Sequence, residues 1–538
     1  MHPVVTLPVW PARDAEHLLV SGAEMAALEH QLFSSGLPVE ALMEKAALAV
    51  AHRLTQPDWW PDLQRHGAVV LVGPGHNGGD GLVVARELHL AGIAVRLWSP
   101  FERHKPLTDA HRRHALWLGI PALEQPPDPA DPAVWIDALF GIGQSRAPGE
   151  ALETLLEQRQ RRQPGRLIAI DGPTGLCADR GLPLGACAAA AALTLSIGLL
   201  KQGFLQDAAL RWVGALERVD LGLPPSLLAT LPVLQPLRLQ GGDLATAPWP
   251  RAEPEAGKYA RGRLLVIAGS AAYPGAAQLC LLGAGASGVG SLRAVLPAPQ
   301  AAGLWSVQPH VVLSGSLASG SRGELRLADL PEQALERLDA VVLGPGLGPL
   351  PADPFALEHE RPAWRRLQAF AGLLLLDADA LNRLAGCDAA AWLRGRQGPT
   401  WLTPHRGEFG RLFPELADQP PLEAALRASA LASAAHPCSV LLKGARTVIA
   451  AADGRRWQLG HAAGAAARAG LGDVLAGYAA GLAARGLAAD QVSPAAVDAA
   501  LLATAALAHG QAGERAAAAG GGAATPMAVA SALAEITR

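Results

Sequence analysis

The sequence has little charge imbalance and few aromatic residues. Its formal net charge is -3 at pH 7, and aromatic residues make up 4% of the 538-residue chain. A nucleic-acid-binding domain needs a basic surface with clustered lysines and arginines, so we expect no nucleic-acid partner. Hydrophobic residues make up 50% of the sequence, and the length predicts more than one folded core.

Cysteines are also scarce, and none of them forms a CxxC pair. The five are Cys177, Cys187, Cys280, Cys387 and Cys438. Their odd number and wide spacing argue against a disulfide framework and against a zinc site, and favour reduced thiols in the cytoplasm. Residues 1–14 lack a basic start followed by an apolar run, so we expect no secretory signal and a cytoplasmic protein.

The sequence has no hydrophobic run of membrane-spanning length. Its most apolar stretch, Ala186–Leu200, is shorter than the roughly 20 residues that a membrane helix needs. The stretch also contains threonine, serine and glycine residues. We therefore expect no membrane partner and interpret this segment as buried α/β structure.

Short apolar runs alternate with longer stretches rich in alanine and leucine. This alternation predicts an α/β fold with parallel sheets that are covered on both faces. The strands predicted in the first half are Val69–Val72, Ala94–Trp98, Val134–Ile136, Leu167–Ile170 and Leu193–Ile197. Those predicted in the second half are Arg263–Ile267, Leu292–Leu296, Ala340–Leu343, Leu373–Leu376, Thr400–Leu402 and Ser439–Leu442.

The segment from Gly222 to Pro254 differs from the rest because it is rich in proline and leucine and lacks clear periodicity. Such a segment is typical of a connection between domains. We therefore expect one domain over residues 1–228 and a second over residues 240–538.

A glycine-rich loop follows the first predicted strand of the N-terminal domain. Val69–Val72 leads into Gly73–Gly81, after which Leu82–Leu88 has the character of a helix. A strand, a tight loop and a helix start present backbone N–H groups to an anion. A plain turn would also use glycine, but the run Asn77–Asp80 has two polar side chains and more residues tolerant of positive φ than a turn requires.

Two further predicted strands of this half end in aspartate. Asp137 precedes the segment Ala138–Gly143, and Asp171 precedes Gly172–Gly175. A single aspartate at a strand end often serves only as a turn former. Ligands of open parallel sheets bind beyond the carboxyl ends of the strands, so three polar ends favour a shared site.

The segments Gly73–Gly81, Asp137–Gly143 and Asp171–Gly175 resemble the N-terminal domain of the bifunctional NAD(P)H-hydrate repair enzymes. The resemblance implies a Rossmann-like three-layer αβα domain. It also implies an NAD(P)HX epimerase that interconverts the R and S hydrates at C6. Family members usually have Asn-Asn where this chain has His76-Asn77.

The same resemblance implies a set of ligand contacts. A potassium ion would be held by oxygen atoms of Asn77, Asp137 and Thr174, a donor set that suits a hard cation. Asp171 would lie closest to the chemistry and take a catalytic role. The implied hydrate contacts are His76, Asn77, Gly78, Gly79, Asp80, Gly141, Ile142, Gly143, Gln144, Ser145, Arg146, Ala147 and Asp171.

Glycine-rich or polar segments also follow the predicted strands of the second half. They are the loop Ser270–Ala276, the loop Gly344–Gly348, the carboxylates Asp377 and Asp379, the pair His405 and Glu408, and the segment Lys443–Thr447. The most informative segment is Ala469–Asp473, which precedes an apolar helical stretch. Small residues at a helix start gather N–H groups at one point, as phosphoryl transfer requires, and Asp473 supplies a carboxylate to accept a hydroxyl proton. An aspartate here could also be an ordinary N-cap.

The GxGD element resembles the ribokinase-like superfamily. Together with Gly344–Gly348, Leu402–Glu408 and Lys443–Thr447, it resembles the C-terminal domain of the same repair enzymes. The resemblance implies a ribokinase-like α/β domain with ADP-dependent (S)-NAD(P)HX dehydratase activity. Ala469 stands where many members have glycine.

This second resemblance also implies site residues. Asp473 would be the catalytic base, and the implied hydrate contacts are Ala276, Gly346, His405 and Asp473. The implied nucleotide contacts are Lys443, Gly444, Ala445, Arg446, Thr447 and Gly472. Magnesium is expected with the ADP.

Both resemblances imply one function, the repair of hydrated nicotinamide cofactors. The expected ligands are NADHX or NADPHX, ADP, potassium and magnesium, and the expected assembly is a homo-oligomer. Two alternatives stay open at this point. The second half could be a ribokinase-like small-molecule alcohol kinase, and the first half could be a non-catalytic dinucleotide-binding scaffold.

Overall fold

The computed structural model describes residues 10–251, 254–351, 354–464, 467–489 and 498–537. It divides into two compact units. The N-terminal unit is residues 13–236, and the C-terminal unit is residues 237–538 together with the segment that ends at Ala12. The expected domain boundaries, 1–228 and 240–538, describe fragments that fold independently, and this stays a prediction.

The N-terminal unit is built on a parallel sheet. Its strands are β1 (Leu19–Val20), β2 (Ala68–Val72), β3 (Val95–Trp98), β4 (Ala122–Leu123), β5 (Val134–Ala138), β6 (Leu167–Ile170), β7 (Leu193–Ile197), β8 (Leu200–Lys201) and β9 (Ala215–Val219). Seven strands form one sheet in the order β4-β3-β2-β5-β6-β7-β9, and β1 pairs with β8. The strand order changes direction between β2 and β5, which makes the carboxyl ends of these two strands a ligand-binding position.

Helices connect these strands. They are α1 (Gly22–Ser34), α2 (Val39–Leu54), α3 (Trp60–His66), α4 (His76–Leu90), α5 (Pro106–Trp117), α6 (Glu150–Arg162), α7 (Leu210–Val213) and α8 (Pro225–Leu228). Every residue of β2, β5 and β6 is buried, as expected for strands covered on both faces. Helix α4 packs on β2 and lies between α2 and α5.

The C-terminal unit contains a larger sheet. Its strands are β10 (Leu237–Leu239), β11 (Arg263–Ile267), β12 (Ser291–Pro297), β13 (Val312–Leu317), β14 (Ala340–Leu343), β15 (Leu373–Leu376), β16 (Thr400–Leu402), β17 (Cys438–Leu442), β18 (Val448–Ala450) and β19 (Arg456–Leu459). The order is β10-β19-β18-β17-β16-β15-β14-β11-β12-β13. Only β18 runs antiparallel to its neighbours among these described strands.

Ten helices of this unit lie in the described part of the chain. They are α9 (Pro274–Ala286), α10 (Ala298–Val307), α11 (Pro354–Ala369), α12 (Ala378–Ala385), α13 (Ala389–Arg394), α14 (Arg406–Leu412), α15 (Pro421–Ala432), α16 (Leu471–Ala489), α17 (Ala499–Ala519) and α18 (Pro526–Ile536). Helices α9 and α16 approach closely because both have glycine at the crossing. A Cβ atom on Gly283 would overlap the Val474 carbonyl, and one on Gly477 would overlap the Cys280 carbonyl. This contact fixes the start of α16.

Trp10, at the beginning of the described residues, packs within the C-terminal unit. The Trp10 indole Nε1 donates to the Asp243 carbonyl at 3.1 Å. The Trp457 Nε1 in turn donates to the Trp10 carbonyl at 2.8 Å. Both tryptophans are buried, so these two bonds satisfy indole groups that water does not reach.

The predicted α/β class is confirmed, because both units are mixed α/β structures with parallel sheets. The predicted strands are present, several with the expected bounds, such as Leu167–Ile170 and Arg263–Ile267. Among the described residues, no helix combines the length and apolar character that crossing a membrane requires.

Candidate functional site

A cavity of about 380 Å³ lies in the N-terminal unit, beyond the carboxyl ends of its central strands. Residues that follow β2, β5, β6 and β9 contribute to its lining, together with the last residue of β7 and residues of α1 and α2. The position is the one that the change in strand order between β2 and β5 predicts. The cavity is therefore the candidate ligand site of this unit.

The glycine-rich loop after β2 is shaped by close backbone packing. A Cβ atom on Gly73 would overlap the Leu139 carbonyl, and one on Gly78 would overlap the Gly73 carbonyl. A Cβ atom on Gly79 would lie 2.6 Å from the Met43 methyl group. Glycine at these positions lets α4 begin against its own strand and bring His76 and Asn77 to the cavity.

Asp137 is fully buried at the end of β5 and accepts three hydrogen bonds. Its Oδ1 accepts from Thr174 Oγ1 at 2.7 Å and from the Leu139 amide at 3.2 Å, and its Oδ2 accepts from the Thr174 amide at 2.8 Å. Burial raises the pKa of Asp137 to about 6, although these hydrogen bonds oppose the rise. Because Thr174 donates its hydroxyl proton to Asp137, its Oγ1 keeps lone pairs that can accept from another group.

Asn77 is buried at the first turn of α4, and neither atom of its side-chain amide has a hydrogen-bond partner. Its Cγ lies 3.6 Å from the point that a Cβ atom on Gly141 would occupy, and Asp171 Oδ2 lies 2.7 Å from the same point. Asn77 and Asp171 therefore lie close together at the Gly141 loop. An unsatisfied buried amide is costly, and it indicates a ligand that completes the site.

Asp171 has the conformation of a constrained residue, with a φ of 66°. Its Oδ1 accepts from Lys201 Nζ at 2.8 Å, and its Oδ2 accepts from the Ile142 amide at 3.0 Å. Lys201 has no exposed surface, and its Nζ also donates to the Ile197 carbonyl at 2.7 Å and to Ser196 Oγ at 3.2 Å. Strained backbone of this kind occurs mainly where the surrounding structure holds a functional group in place.

The structure brings eight of the sequence-predicted hydrate contacts to this cavity. They are His76, Asn77, Asp80, Gly141, Ile142, Gly143, Gln144 and Asp171. Gly78 and Gly79 lie behind the lining, where they pack on Gly73 and Met43. Ser145, Arg146 and Ala147 are exposed and do not contribute to the lining.

Sequence reasoning missed several lining residues and one charged partner. Glu29 and Phe33 of α1, Met43 of α2 and Lys105 line the cavity, and Lys201 pairs with Asp171. No local motif marks these residues, because helices and a short strand from elsewhere in the unit supply them. The only available signal was the acidic side chain of Glu29 within an otherwise apolar helix face.

Two further carboxyl groups of the cavity have perturbed titration. Burial, helped by the charge of Asp171, raises the pKa of Glu29 to about 7. Burial also holds the pKa of Asp80 well above its usual range. The pKa of His76 is lowered by partial burial, with a small contribution from Lys105. Perturbed groups that share one cleft are typical of active sites.

The candidate site of the C-terminal unit centres on Asp473. This residue is the third of helix α16, so it lies in the first turn and is not the N-cap. Burial and the nearby Asp377 raise the pKa of Asp473 to about 7, while Lys443 opposes the rise. A carboxyl group with a pKa near neutrality is suited to accept a proton at physiological pH.

Lys443 joins this cluster from the end of β17. Its Nζ donates to Asp377 Oδ1 at 2.7 Å and lies 3.3 Å from the point that a Cβ atom on Gly472 would occupy. Burial lowers the pKa of Lys443, but the carboxylates of Asp377 and Glu408 outweigh this effect and raise it overall. Glycine at position 472 therefore leaves the lysine cation room beside the start of α16.

The remainder of the predicted nucleotide segment turns directly after Lys443. The Thr447 hydroxyl donates to the Gly444 carbonyl at 3.2 Å, and the Thr447 carbonyl accepts from the Leu459 amide at 3.0 Å. Arg446 and Thr447 are mostly buried, while Ala445 lies between them and Gly444. The segment thus forms a fixed corner between β17 and β18.

His405 caps helix α14 from the end of β16. Its Nδ1 accepts from the Gly407 amide at 3.0 Å, and its Nε2 lies 3.2 Å from Glu408 Oε1. The backbone of His405 pairs with that of Lys443, which places the two strand ends side by side. More than half of the His405 side chain is exposed, so the ring is accessible to a ligand.

Gly346 and Ala276 are in contact. Gly346 has a φ of 63°, and a Cβ atom there would lie 2.6 Å from the Ala276 Cβ and 2.9 Å from the Tyr273 Cβ. The sequence recognised Asp377 and Glu408 as carboxylates at strand ends without assigning them, and the structure shows both beside Lys443.

The described residues contain no group of three or more histidine, cysteine, aspartate or glutamate side chains that could hold a metal ion. The five cysteines are free thiols. Oxygen atoms of one asparagine, one threonine and one carboxylate form a different kind of donor set, which suits a hard cation.

Known proteins match both halves of the chain. Residues 39–203 match the family described as YjeF-related protein N-terminus, and residues 264–535 match the family described as NAD(P)H-hydrate dehydratase. Two relatives are described as bifunctional NAD(P)H-hydrate repair enzyme Nnr. That of Synechocystis is 41% identical over 86% of this chain and 85% of its own. That of Gloeobacter violaceus is 42% identical over 85% of this chain and 87% of its own.

Solved structures also resemble the C-terminal part. A ribokinase-like superfamily protein of Enterococcus faecalis is 23% identical, with a TM-score of 0.45 over 55% of this chain and 94% of that chain. An ADP/ATP-dependent NAD(P)H-hydrate dehydratase of Bacillus subtilis, co-crystallised with ATP and Mg²⁺, is 26% identical. Its TM-score is 0.42 over 56% of this chain and 96% of that chain.

Proposed function

The chain belongs to the family of bifunctional NAD(P)H-hydrate repair enzymes, and from this premise we propose how its residues divide the reaction. Water added across the C5–C6 double bond of NADH or NADPH leaves a hydroxyl group on C6, in R and S forms. The N-terminal unit epimerises the two forms. The C-terminal unit dehydrates the S form to NAD(P)H with ADP, which gives AMP and phosphate.

In the N-terminal unit, the hydrate binds in the cavity at the carboxyl ends of β2 and β5. Asp171 transfers a proton at the oxygen on C6, because Lys201 and the Ile142 amide hold its carboxylate in one orientation. Gly141–Gln144 and the start of α4 position the substrate. Hydrate contacts at Gly78, Gly79 and Ser145–Ala147 stay predictions.

The oxygen atoms of Asn77, Asp137 and Thr174 fit a potassium ion. Asn77 has an amide oxygen without a partner, Asp137 is a buried carboxylate, and Thr174 Oγ1 keeps free lone pairs. Bound potassium would supply positive charge that helps to hold the hydrate. The chain's own part is to keep these three acceptors in a rigid, buried arrangement.

In the C-terminal unit, the position of Asp473 beside Lys443 is the observation that carries the proposed chemistry. Hydroxide is a poor leaving group, so phosphorylation of the C6 hydroxyl by ADP precedes its loss. Asp473 accepts the hydroxyl proton, and the backbone N–H groups of Gly470–Gly472 hold the transferred phosphate. Magnesium bound with the nucleotide would neutralise phosphate charge.

The other binding residues surround this centre. Lys443–Thr447 and Gly472 contact the nucleotide, because Lys443 supplies a cation next to the glycine. His405 reaches the hydrate through its exposed ring. Ala276 and Gly346 form a small-residue contact, which we assign to the hydrate site.

We also propose a cytoplasmic location, since all five cysteines are free. Homo-oligomer formation stays a prediction of the sequence. Family membership argues against both alternatives, the alcohol kinase and the scaffold module, because the relatives that match most of the chain are described as bifunctional repair enzymes.

The proposal is tested by supplying both hydrate epimers to the purified protein and following the absorbance of NAD(P)H near 340 nm. With ADP and Mg²⁺, the wild-type protein should convert both epimers completely. Without ADP, the absorbance should not return. The Asp171→Asn variant should convert the S form at the normal rate and then slow to the rate of spontaneous epimerisation.

Two outcomes would contradict the proposal. A phosphorylated product that accumulates, with no return of absorbance, would indicate an alcohol kinase instead. Complete conversion of both epimers at an unchanged rate by Asp171→Asn would remove Asp171 from the epimerase chemistry. Product analysis by chromatography distinguishes these cases.

A further inference from the structure

Helix α1 brings a carboxyl group into the cavity of the N-terminal unit that no motif marks. Glu29 lines this cavity together with Asp171, although 142 positions separate the two residues in the sequence. Glu29 arrives from a helix, whereas Asp171 follows β6. Two acidic groups thus reach the same space from different elements.

Helix α1 is fixed firmly enough to hold Glu29 in position. Ser21 and Glu24 form a capping box at its start, and Gln235 Nε2 donates to Glu24 Oε2 at 2.9 Å. One turn before Glu29, Met25 is fully buried against Gly198, in the loop that follows β7. Because Met25 and Glu29 share one face of the helix, this packing directs Glu29 toward the end of β7.

Glu29 differs from Asp171 in its hydrogen bonding. Both oxygens of Asp171 accept hydrogen bonds from the protein. In the described parts of the chain, the Glu29 side chain makes no hydrogen bond, and burial with the charge of Asp171 raises its pKa to about 7. A buried carboxyl group without a protein partner is available to a ligand.

Inverting C6 of the hydrate requires proton transfer on both faces of the ring. The hydroxyl group must leave from one face, and water must return to the other. One carboxyl group cannot serve both faces of a bound ring at once. We propose that Glu29 is the second proton-transfer residue of the epimerase and acts on the ring face opposite Asp171. This inference rests on the proposed epimerase function of the N-terminal unit.

The step balances without any redox partner. Glu29 donates its proton to the C6 hydroxyl oxygen, the C6–O bond breaks, and its electron pair leaves with water. The lone pair of the ring nitrogen forms a double bond to C6. A water molecule then attacks C6 from the opposite face, the nitrogen regains its electron pair, and Asp171 takes the proton of that water. Proton exchange with water returns the proton to Glu29 and removes it from Asp171 before the next turnover in the same direction. The reverse reaction runs with the two carboxyl groups in exchanged roles.

Other charged groups face Glu29 and set its proton affinity. Asp171 opposes its ionisation, while Lys201 favours it. His76 and Lys105 line the same cavity from α4 and from the segment before α5. Lys201 is paired with Asp171, with 2.8 Å between Nζ and Oδ1.

The test is the Glu29→Gln variant, assayed with the full chain. Glutamine keeps the size of the side chain but cannot transfer the proton. The epimerisation kcat should fall by about 10²–10⁴-fold with KM near the wild-type value, as for other positioned acid–base groups. Dehydration of the S hydrate with ADP should be unchanged. Glu40→Gln, an exposed position on α2, is the matched control and should keep wild-type epimerisation.

A pH profile and an isotope measurement separate proton transfer from a structural role. Wild-type epimerisation should decline as pH rises through about 7, where Glu29 loses its proton. The Glu29→Asp variant should retain this limb, and Glu29→Gln should lose it. In water labelled in its oxygen atom, the wild-type protein should incorporate the label into the C6 hydroxyl group at the rate of epimerisation.

Two results would overturn the inference. One is Glu29→Gln epimerising at the wild-type rate, and the other is epimerisation without label in the C6 oxygen. Failure of the wild-type protein to epimerise at all would instead refute the proposed function of the unit. Equal thermal unfolding curves for Glu29→Gln and the wild type would show that the fold is intact.

Discussion

The dehydration step depends most directly on the carboxyl group of Asp473. The Asp473→Asn variant should reduce the dehydration rate by about 10²–10⁴-fold, because the amide cannot accept the hydroxyl proton. Steady-state measurement with the S hydrate and ADP checks this. Epimerisation should be unchanged, because Asp473 belongs to the other unit.

The fold should tolerate this replacement for a reason that the structure supplies. Asp473 lies in the first turn of α16 and is not the N-cap, so the helix does not depend on it for capping. Replacement also removes a buried carboxyl group beside Asp377, which relieves repulsion. A variant that dehydrates at the wild-type rate would assign the proton to another group, and His405 would be the next to test.

The pH dependence of dehydration should follow the same carboxyl group. Its raised pKa of about 7 means that kcat/KM falls as pH drops below about 7, since the base must be ionised. Asp377→Asn removes a charge that raises this pKa, so the acid limb should move to lower pH. Rate profiles of both proteins check this, and an unmoved limb would contradict the assignment of Asp473 as the base.

Potassium dependence is expected from three residues of the N-terminal unit. Epimerisation should be faster in potassium than in sodium buffer, and Asn77→Ala should raise the potassium concentration needed for half-maximal rate. Asn77 is a sharper probe than Asp137, because Asp137 also holds Thr174 and Leu139 through hydrogen bonds. Equal rates in the two salts would remove the ion assignment and leave the cavity assignment intact.

Site residues next to a motif were predictable from the sequence, and residues brought from elsewhere were not. Asn77 and Asp171 follow β2 and β6, and Asp137 lies at the end of β5, so their carboxyl-end position is a consequence of the fold. Glu29 and Lys201 come from a helix and a short strand without such a signal. Only the packing of Met25 on Gly198 and the pairing of β8 with β1 bring them to the site.

The start of α4 illustrates how an element depends on glycine. Gly78→Ala should abolish epimerisation and lower the free energy of unfolding, because the new Cβ would overlap the Gly73 carbonyl, which is backbone. Gly79→Ala should cost less, since its Cβ would meet the end of the flexible Met43 side chain. Urea denaturation and epimerase assays of the two variants check this order.

A double variant provides a control for the comparison of Gly78→Ala with Gly79→Ala. Shortening the neighbour in the double variant Gly79→Ala with Met43→Ala should recover part of the stability lost in Gly79→Ala. The same change should not help Gly78→Ala, whose Cβ meets backbone. If both glycine variants behaved alike, their role would be contact with the hydrate instead of packing of the helix.

The mainly apolar central strands of both sheets were predictable, and the strands toward one end of each sheet were not. Strands β6, β7, β11 and β14 have the predicted bounds because central parallel strands are mainly apolar. Most residues of strand β9 are exposed or half-buried. Strands β10, β18 and β19 have three or four residues each, and β10 and β19 contain polar residues. Their pairing is decided by contact with a neighbouring strand, which local sequence does not reveal.

At the scale of the whole molecule, the N-terminal unit should fold alone, and the stability of the fragment should depend on where its C-terminal end is placed. Gln235 Nε2 donates to the Leu19 carbonyl at 2.7 Å, and the Leu19 amide donates to the Pro236 carbonyl at 2.9 Å. A fragment of residues 1–236 should therefore unfold at a higher temperature than one of residues 1–228, because buried hydrogen bonds contribute about 1 kcal/mol each. Identical melting curves would contradict this.

The C-terminal unit gives a parallel prediction. A fragment of residues 237–538 keeps β10 on β19, whereas one of residues 240–538 loses this strand. The longer fragment should be the more stable in urea denaturation. Both lack Trp10, and an unpartnered buried Trp457 indole costs about 1–3 kcal/mol, so each should be less stable than the same unit in the full chain.

The pairing of Trp457 with Trp10 has a consequence for the order in which the protein is made. The two residues are separated by 447 positions along the chain. At a synthesis rate of about 5–20 residues per second, Trp10 leaves the ribosome roughly 20–90 s before its partner. During this interval the N-terminal unit between them can fold to completion while the segment around Trp10 waits outside it. The last native contacts of the first residues described therefore form only after nearly the whole polypeptide has been translated.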